Sequence, residues 1–201
     1  MNIVVLGASG KVGREVVKQA IESGHTVTAF VRDATKVDLP GATVVIGDAR
    51  TEGDLAQAVG GADAVVSALG TNSSSDLIEA SSRRLVRAMA SAGVRRLVMM
   101  SSFAASPNFQ PTGLMKLVNR LALKGMVADR HVGEALVKGS DLDWTLVYAS
   151  RLKDGPRAGY KLLPGKVPMT ASITRADVAA ALVAAVDDPS AVRQVRNVAG
   201  N

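Results

Sequence analysis

Three glycines spaced three apart, at 7, 10 and 13, constrain this chain more than any other feature. They follow a short apolar strand, Asn2–Leu6, and run directly into the helical spacing Val12, Val16, Ala20. Strand, glycine turn and helix in that order make a cradle for a pyrophosphate. Gly7 permits the tight turn, and Gly10 has no side chain to hold phosphates away from the backbone N–H groups. Gly13 lets the helix lie close to the strand, while the helix N-terminus adds the positive end of a dipole. The same string also serves a plain strand-to-helix turn. What favours a dinucleotide is context: a second strand at 25–31, the separation expected within a βαβ unit.

Strand and helix signals alternate along the rest of the chain. The spacing predicts a helix over 11–23 ended by Gly24, strands at 25–31 and 43–46, a short helix at 52–58 and a strand at 63–68. A long helix is expected over 75–92, with Asp76 and Glu79 capping its start, then strands at 95–100 and 143–148. Thr174 and Asp177 form a capping box for a closing helix that stops before Pro189, and 195–198 reads as a last edge strand. The pattern implies a single α/β domain over 1–201: a Rossmann-type, doubly wound parallel sheet with helices on both faces and ligands at the carboxyl ends of its strands. Aromatic residues are only 3% against 47% hydrophobic, so the core is built from Val, Leu, Ala and Ile, the habit of a helix-covered parallel sheet. The segments 103–113 and 151–172 hold most of the prolines, follow strands, and are read as substrate-binding loops.

Several function classes are disfavoured. Without cysteine there is no disulfide, thiolate metal site or cysteine nucleophile, and with only His25 and His131 no metal centre is expected. A strand beginning at residue 2 leaves no room for a signal peptide, and the longest apolar run, 178–186, is too short to cross a bilayer. A cytoplasmic protein without membrane contact is expected. The net charge of +6 comes from scattered residues such as Arg83, Arg84, Arg87, Arg95 and Arg96, with no nucleic-acid module and few aromatics for stacking. They read as solvated surface that attracts an anionic cofactor.

The chain resembles the atypical short-chain dehydrogenase/reductases of the NAD(P)-binding, NmrA-like kind, and is similar in layout to the flavin reductases called biliverdin reductase B. The resemblance rests on Gly7-Ala8-Ser9-Gly10-Lys11-Val12-Gly13, Phe30-Val31-Arg32-Asp33, Gly47-Asp48, Ala68-Leu69-Gly70-Thr71, Met100-Ser101-Ser102-Phe103 and Leu142-Asp143-Trp144-Thr145-Leu146-Val147, in that order. It implies that Asp48 holds the adenine amino group, and that Leu69, Gly70 and Thr71 approach the ribose and pyrophosphate. Ser9, Val12, Ala49, Ser101, Arg130 and Ala149 complete the cofactor-binding set it implies. Where NAD enzymes carry a carboxylate at the end of the second strand, this chain has Arg32, with Asp33 adjacent. A guanidinium there suits the 2′-phosphate of NADP(H), so NADP(H) is expected in preference to NAD(H). Lys11 adds positive charge beside the same phosphates.

Short-chain dehydrogenases resembling this chain use a serine and a tyrosine four residues before a lysine, the tyrosine protonating the carbonyl oxygen as hydride arrives. Ser101 stands where that serine should be. The tyrosine and lysine positions hold Met126 and Arg130. Tyr148, at the end of the sixth strand, is the candidate proton donor, with His131 a weaker one and Tyr160 in a loop. A missing acid suits an acceptor that is itself an electron sink and can draw its proton from water, so the resemblance points to an NAD(P)H-dependent reductase of a flavin, quinone or similar conjugated acceptor. Ser101 is expected to hydrogen-bond the cofactor carboxamide or the acceptor, and Arg130 and Arg151 to attract an anionic one. A monomer or small homo-oligomer is expected. The alternatives are a non-catalytic NADP(H) redox sensor of the NmrA-like type and a sugar-nucleotide epimerase or dehydratase.

Overall fold

The computed structural model describes residues 1–70, 76–109 and 124–201. Its backbone alternates strand and helix: β1 (Asn2–Leu6), α1 (Lys11–Glu22), β2 (Thr26–Val31), β3 (Ala42–Ile46), α2 (Glu52–Val59), β4 (Ala64–Ser67), α3 (Leu77–Ala92), β5 (Arg96–Ser102), α4 (Lys124–Lys138), β6 (Asp143–Ala149), β7 (Arg151–Lys153), β8 (Tyr160–Leu163), β9 (Ser172–Thr174), α5 (Arg175–Asp187) and β10 (Gln194–Gly200). The main sheet runs β3-β2-β1-β4-β5-β6-β10-β8. The pairs from β3 through to β10 are parallel, whereas β8 is antiparallel to β10. The order reverses direction between β1 and β4, and a cleft opens at such a switch point beyond the strand ends.

Alternation along β1 shows how two cores are made from one strand. Ile3 and Val5 face the side covered by α1 and α5, joining Val12, Val16, Val178 and Leu182. Val4 and Leu6 face the other side, joining Leu55, Leu85 and Val137 from α2, α3 and α4. Each β-branched side chain packs on the pleat without losing much rotamer freedom, which is why Val and Ile dominate both faces.

Two expectations need correction. The segment 151–172 is not a plain loop: β7 pairs with β9 in a small parallel sheet, and β8 joins the main one. The strand expected at 195–198 is longer, and β8 covers its outer side, so it is no sheet edge. Proline and glycine around a four-residue strand hide β8 from a periodicity search. The capping box of α5 is present, with the Asp177 amide donating to Thr174 Oγ1 at 3.0 Å. The Asp177 carboxylate also accepts from the amide of Gly159 at 2.9 Å, pinning the segment before β8.

The start of α3 also differs from expectation. Neither Asp76 nor Glu79 caps it; Asp76 pairs with Arg50 at 3.2 Å and Glu79 with Arg83 at 3.0 Å. The cap comes from a different helix. Asp129 of α4 accepts from the amides of Ile78 at 3.1 Å and Glu79 at 2.8 Å. The helices come this close because a Cβ on Gly133 would lie 2.8 Å from the Ile78 carbonyl oxygen. Replacing Asp129 with alanine leaves two amides at a buried helix end unpartnered, and is expected to lower stability by about 1–2 kcal/mol in denaturant titration. No helix of the described residues is long and apolar enough to cross a membrane.

Candidate functional site

The glycine turn has the geometry its sequence demands. Gly7 has φ +76°, a left-handed conformation, and a Cβ there would meet the Ala68 carbonyl oxygen at 2.9 Å. Gly10 N–H donates to Gly7 O at 2.9 Å, closing the turn. A Cβ on Gly13 would lie 2.0 Å from that same Gly7 oxygen, so α1 sits against the turn with no space between. No side chain caps α1 and no acidic residue stands in its first turn. The amides of Lys11, Val12 and Gly13 therefore offer an N-terminal site to an anion. Val12 itself is buried in the core, so its contribution is its backbone.

From the turn a cleft runs along the strand ends. Gly7, Ser9, Gly10, Arg32, Asp48, Ala49, Leu69 and Gly70 all line it, which brings eight of the expected cofactor residues together. Arg32 is exposed on its wall and makes no ion pair among the described residues. The Asp33 carboxylate accepts from Thr35 N–H at 2.9 Å and Oγ1 at 2.6 Å, capping a short 3-10 turn. It is therefore Arg32, not Asp33, that lines this end of the cleft. One oxygen of Asp48 accepts from the Arg50 amide at 2.8 Å, which fixes the carboxylate on the cleft wall. Lys11 is drawn outward instead, to Asp154 at 3.1 Å, and Arg175 reaches the same carboxylate at 2.6 Å. These two cations hold the Asp154 carboxyl below its ordinary pKa.

At the inner end of the cleft lies an unusual charge. Arg130 is only 7% exposed, and its Nε and Nη1 atoms find no hydrogen-bond partner among the described residues. Burial pulls the guanidinium below its usual pKa, against the opposing pull of Glu134 and Asp129. Its Nη2 atom lies 3.5 Å from where a Cβ on Gly70 would be. An orphaned buried cation costs several kcal/mol unless something anionic or hydroxylated meets it. Together with the uncapped helix and the glycine cradle, it fits a phosphorylated dinucleotide.

One turn further along α4 comes a second cluster, in which Ser101 and Tyr148 were expected from the sequence but Glu134 was not. Parallel register makes Ser101 and Tyr148 neighbours on β5 and β6, facing α4. Glu134 descends between them: Ser101 Oγ donates to Oε1 at 2.5 Å, and the Tyr148 hydroxyl donates to Oε2. All three side chains are buried. Burial and the adjoining carboxylate push the Tyr148 phenol well above its ordinary pKa, so it is a poor acid at neutral pH. Beyond Tyr148 and Glu134 opens a pocket of about 560 Å³, walled by residues 104–107, Phe109, Val127 and Ala135, with His131 and Lys138 also lining it. That volume suits a small organic molecule.

A family model described as NAD(P)H-binding matches residues 7–189. The chain belongs to this NAD(P)H-binding family. Among curated relatives, photosystem II assembly factor Ycf39 of Synechocystis sp. is 27% identical over 218 residues, covering 100% of this chain and 63% of that protein's length. NAD(P)H azoreductase of Xenophilus azovorans is 27% identical over 212 residues, covering 98% of this chain and 68% of its own. Among solved structures, ChuY of Escherichia coli O157:H7, described as an anaerobillin reductase, superimposes with a TM-score of 0.83 at 22% identity, covering 100% of this chain and 97% of that one. That last likeness is one of fold.

Other residues expected at the site of this NAD(P)H-binding protein fall elsewhere. Ala149 turns its side chain into the core on the α1 and α5 side, away from Tyr148. Arg151 is exposed at the start of β7 and lines neither the cleft nor the pocket. Thr71 lies outside the described residues, as do residues 110–113 of one expected loop. Residues 104–107 and 109 of that loop do wall the pocket, but 151–172 does not. His131 lies 3.1 Å from the Ala105 carbonyl oxygen through Nε2, and Tyr160 sits in β8.

Proposed function

We propose that this chain is an NADP(H)-dependent reductase that passes hydride to a flavin, quinone or similar conjugated acceptor held in the pocket beside Tyr148. One observation carries the reading: a single helix, α4, brings Arg130 to Gly70 on the cleft side and Glu134 to Tyr148 on the pocket side, one turn apart. This arrangement would set donor and acceptor next to each other, and positioning of this kind is worth several kcal/mol of barrier. When bound, the reduced nicotinamide supplies the hydride.

The chain's own groups do the rest. The amides of α1's first turn and the glycine turn would hold the diphosphate, Asp48 would accept from the adenine amino group, and Arg130 would meet phosphate or ribose hydroxyls beside Gly70. Ser101 would hydrogen-bond the carboxamide or the acceptor, and the Val127 and Phe109 walls would keep water from the acceptor's flank. Among the described residues no free acid faces the pocket from Ser101 or Tyr148, since Glu134 holds both protons. The acceptor anion takes its proton from water. The test is absorbance at the reduced-nicotinamide band, with NADPH and a panel of FMN, menadione and an azo dye. Acceptor-dependent oxidation is expected, and tight cofactor binding without turnover across the panel rules the reading out.

Arg32 carries the cofactor preference. Substituting alanine is expected to weaken NADPH binding by about 1.5–3 kcal/mol, through loss of a charge-assisted contact, and to leave NADH binding almost unchanged. Calorimetric titration with both cofactors measures this, and equal losses would remove Arg32 from the 2′-phosphate. A second reading, a non-catalytic NADP(H) sensor, draws support from the tied hydroxyls of Ser101 and Tyr148 and from a relative named for assembly rather than turnover. The acceptor panel separates the two.

A further inference from the structure

Among the described residues, the inner wall of the pocket is short of hydrogen-bond donors. Tyr148 lines it, and its one hydroxyl proton goes to Glu134, as does that of Ser101, which is not itself on the lining. The loop wall opposite is similar. The amide of Ser106 donates to Phe103 O and that of Phe109 to Ser106 O. Asn108 N–H donates to Ser106 Oγ at 3.1 Å, and Ser106 Oγ donates to Asn197 Oδ1 at 2.7 Å. Pro107 has no N–H to offer, and His131 Nε2 is engaged with Ala105 O. Among the described residues, the lining hydroxyls of Tyr148 and Ser106 thus give their protons to other groups and can only accept.

Resting on the reductase reading above, we propose that Glu134 is a positioning residue that sets which acceptors the pocket takes. By taking the Tyr148 hydroxyl proton, it leaves on the inner wall a phenol oxygen that only accepts hydrogen bonds. The wall therefore favours conjugated ligands that present an N–H over ligands, such as quinones, that present carbonyl oxygens alone. A carbonyl oxygen pressed against these lone pairs gives up its water partners and gains none, while a ligand N–H gains an acceptor in a desolvated place. Lys138, exposed on the pocket lining, remains available to a ligand's acidic group.

The test compares lumiflavin, which has one ring N–H, with 3-methyllumiflavin, which has none, using calorimetry on the full chain loaded with NADP⁺ so that no turnover intervenes. The wild-type protein is expected to bind lumiflavin roughly tenfold more tightly than its methylated form, and more tightly than menadione. In Glu134→Gln the amide donates to one hydroxyl and frees that hydroxyl's proton toward the pocket, so the two flavins should bind within about twofold of each other. Equal affinities in the wild type overturn the proposal. So does a methyl penalty that persists in Glu134→Gln, because it is then a matter of bulk. Should Glu134→Gln fail to fold, Tyr148→Phe decides: the preference for N–H persists because a Glu134 oxygen replaces the phenol, and its disappearance overturns the proposal. Absence of any flavin or quinone binding, together with no turnover, overturns the reductase reading itself and this inference with it.

Discussion

Gly13→Ala is expected to abolish measurable NADPH binding and to lower stability by about 3 kcal/mol or more. The added carbon would stand 2.0 Å from the Gly7 carbonyl oxygen, far inside van der Waals contact. Both partners are backbone, so no flexible side chain can move aside, and overpacking against rigid atoms costs about 1–3 kcal/mol or more. Relief requires α1 to slide off β1. That movement breaks the Gly10 N–H to Gly7 O bond of 2.9 Å and withdraws the first-turn amides from the cleft together. A denaturant midpoint and a calorimetric titration measure the two effects. A variant that keeps full NADPH affinity would remove the turn from the cofactor's contacts.

Arg130→Met is expected to move stability and binding in opposite directions. The guanidinium has two buried nitrogens without partners among the described residues, and an apolar chain of similar length removes that penalty. Replacing buried charge by well-packed apolar groups is often neutral or stabilising, so a gain of about 1–2 kcal/mol in unfolding free energy is expected. On the proposed reading the same nitrogens would meet an anion or ribose hydroxyl of the cofactor, and their loss should cost about 2–4 kcal/mol of binding. Thermal unfolding with and without NADPH reads both at once. A large loss of stability with binding intact would make Arg130 structural, a counter-charge for Glu134 and Asp129.

The opening turn was legible because each glycine answers a local demand: a positive φ at Gly7, and a helix pressed on backbone at Gly13. Chemistry of that kind is written within seven residues. Arg32 was legible for the same reason, its place being set by the end of one strand. The cap on α3 was not, because Asp76 and Glu79 match the local capping pattern while the atoms that do the work belong to Asp129, fifty residues on. Glu134 was hidden more deeply. A glutamate in a helix is ordinarily solvated, and nothing adjacent marks this one. The available signal was a stripe: Val127, Arg130, Glu134 and Val137 fall on one face, so two charges lie in line with two apolar residues. Such charges are buried and need partners. The partners, Ser101 and Tyr148, come from strands whose register only the folded sheet establishes.

The crossed cap between α4 and α3 has a practical consequence. Asp129 precedes Arg130 in the chain, and its carboxylate holds the amides of Ile78 and Glu79. Those two protons are thus coupled through a single peptide unit to the cation at the cleft's inner end. Their exchange with deuterium is expected to slow when NADPH occupies the cleft, giving an isotope-based readout of occupancy that needs neither a chromophore nor an identified acceptor.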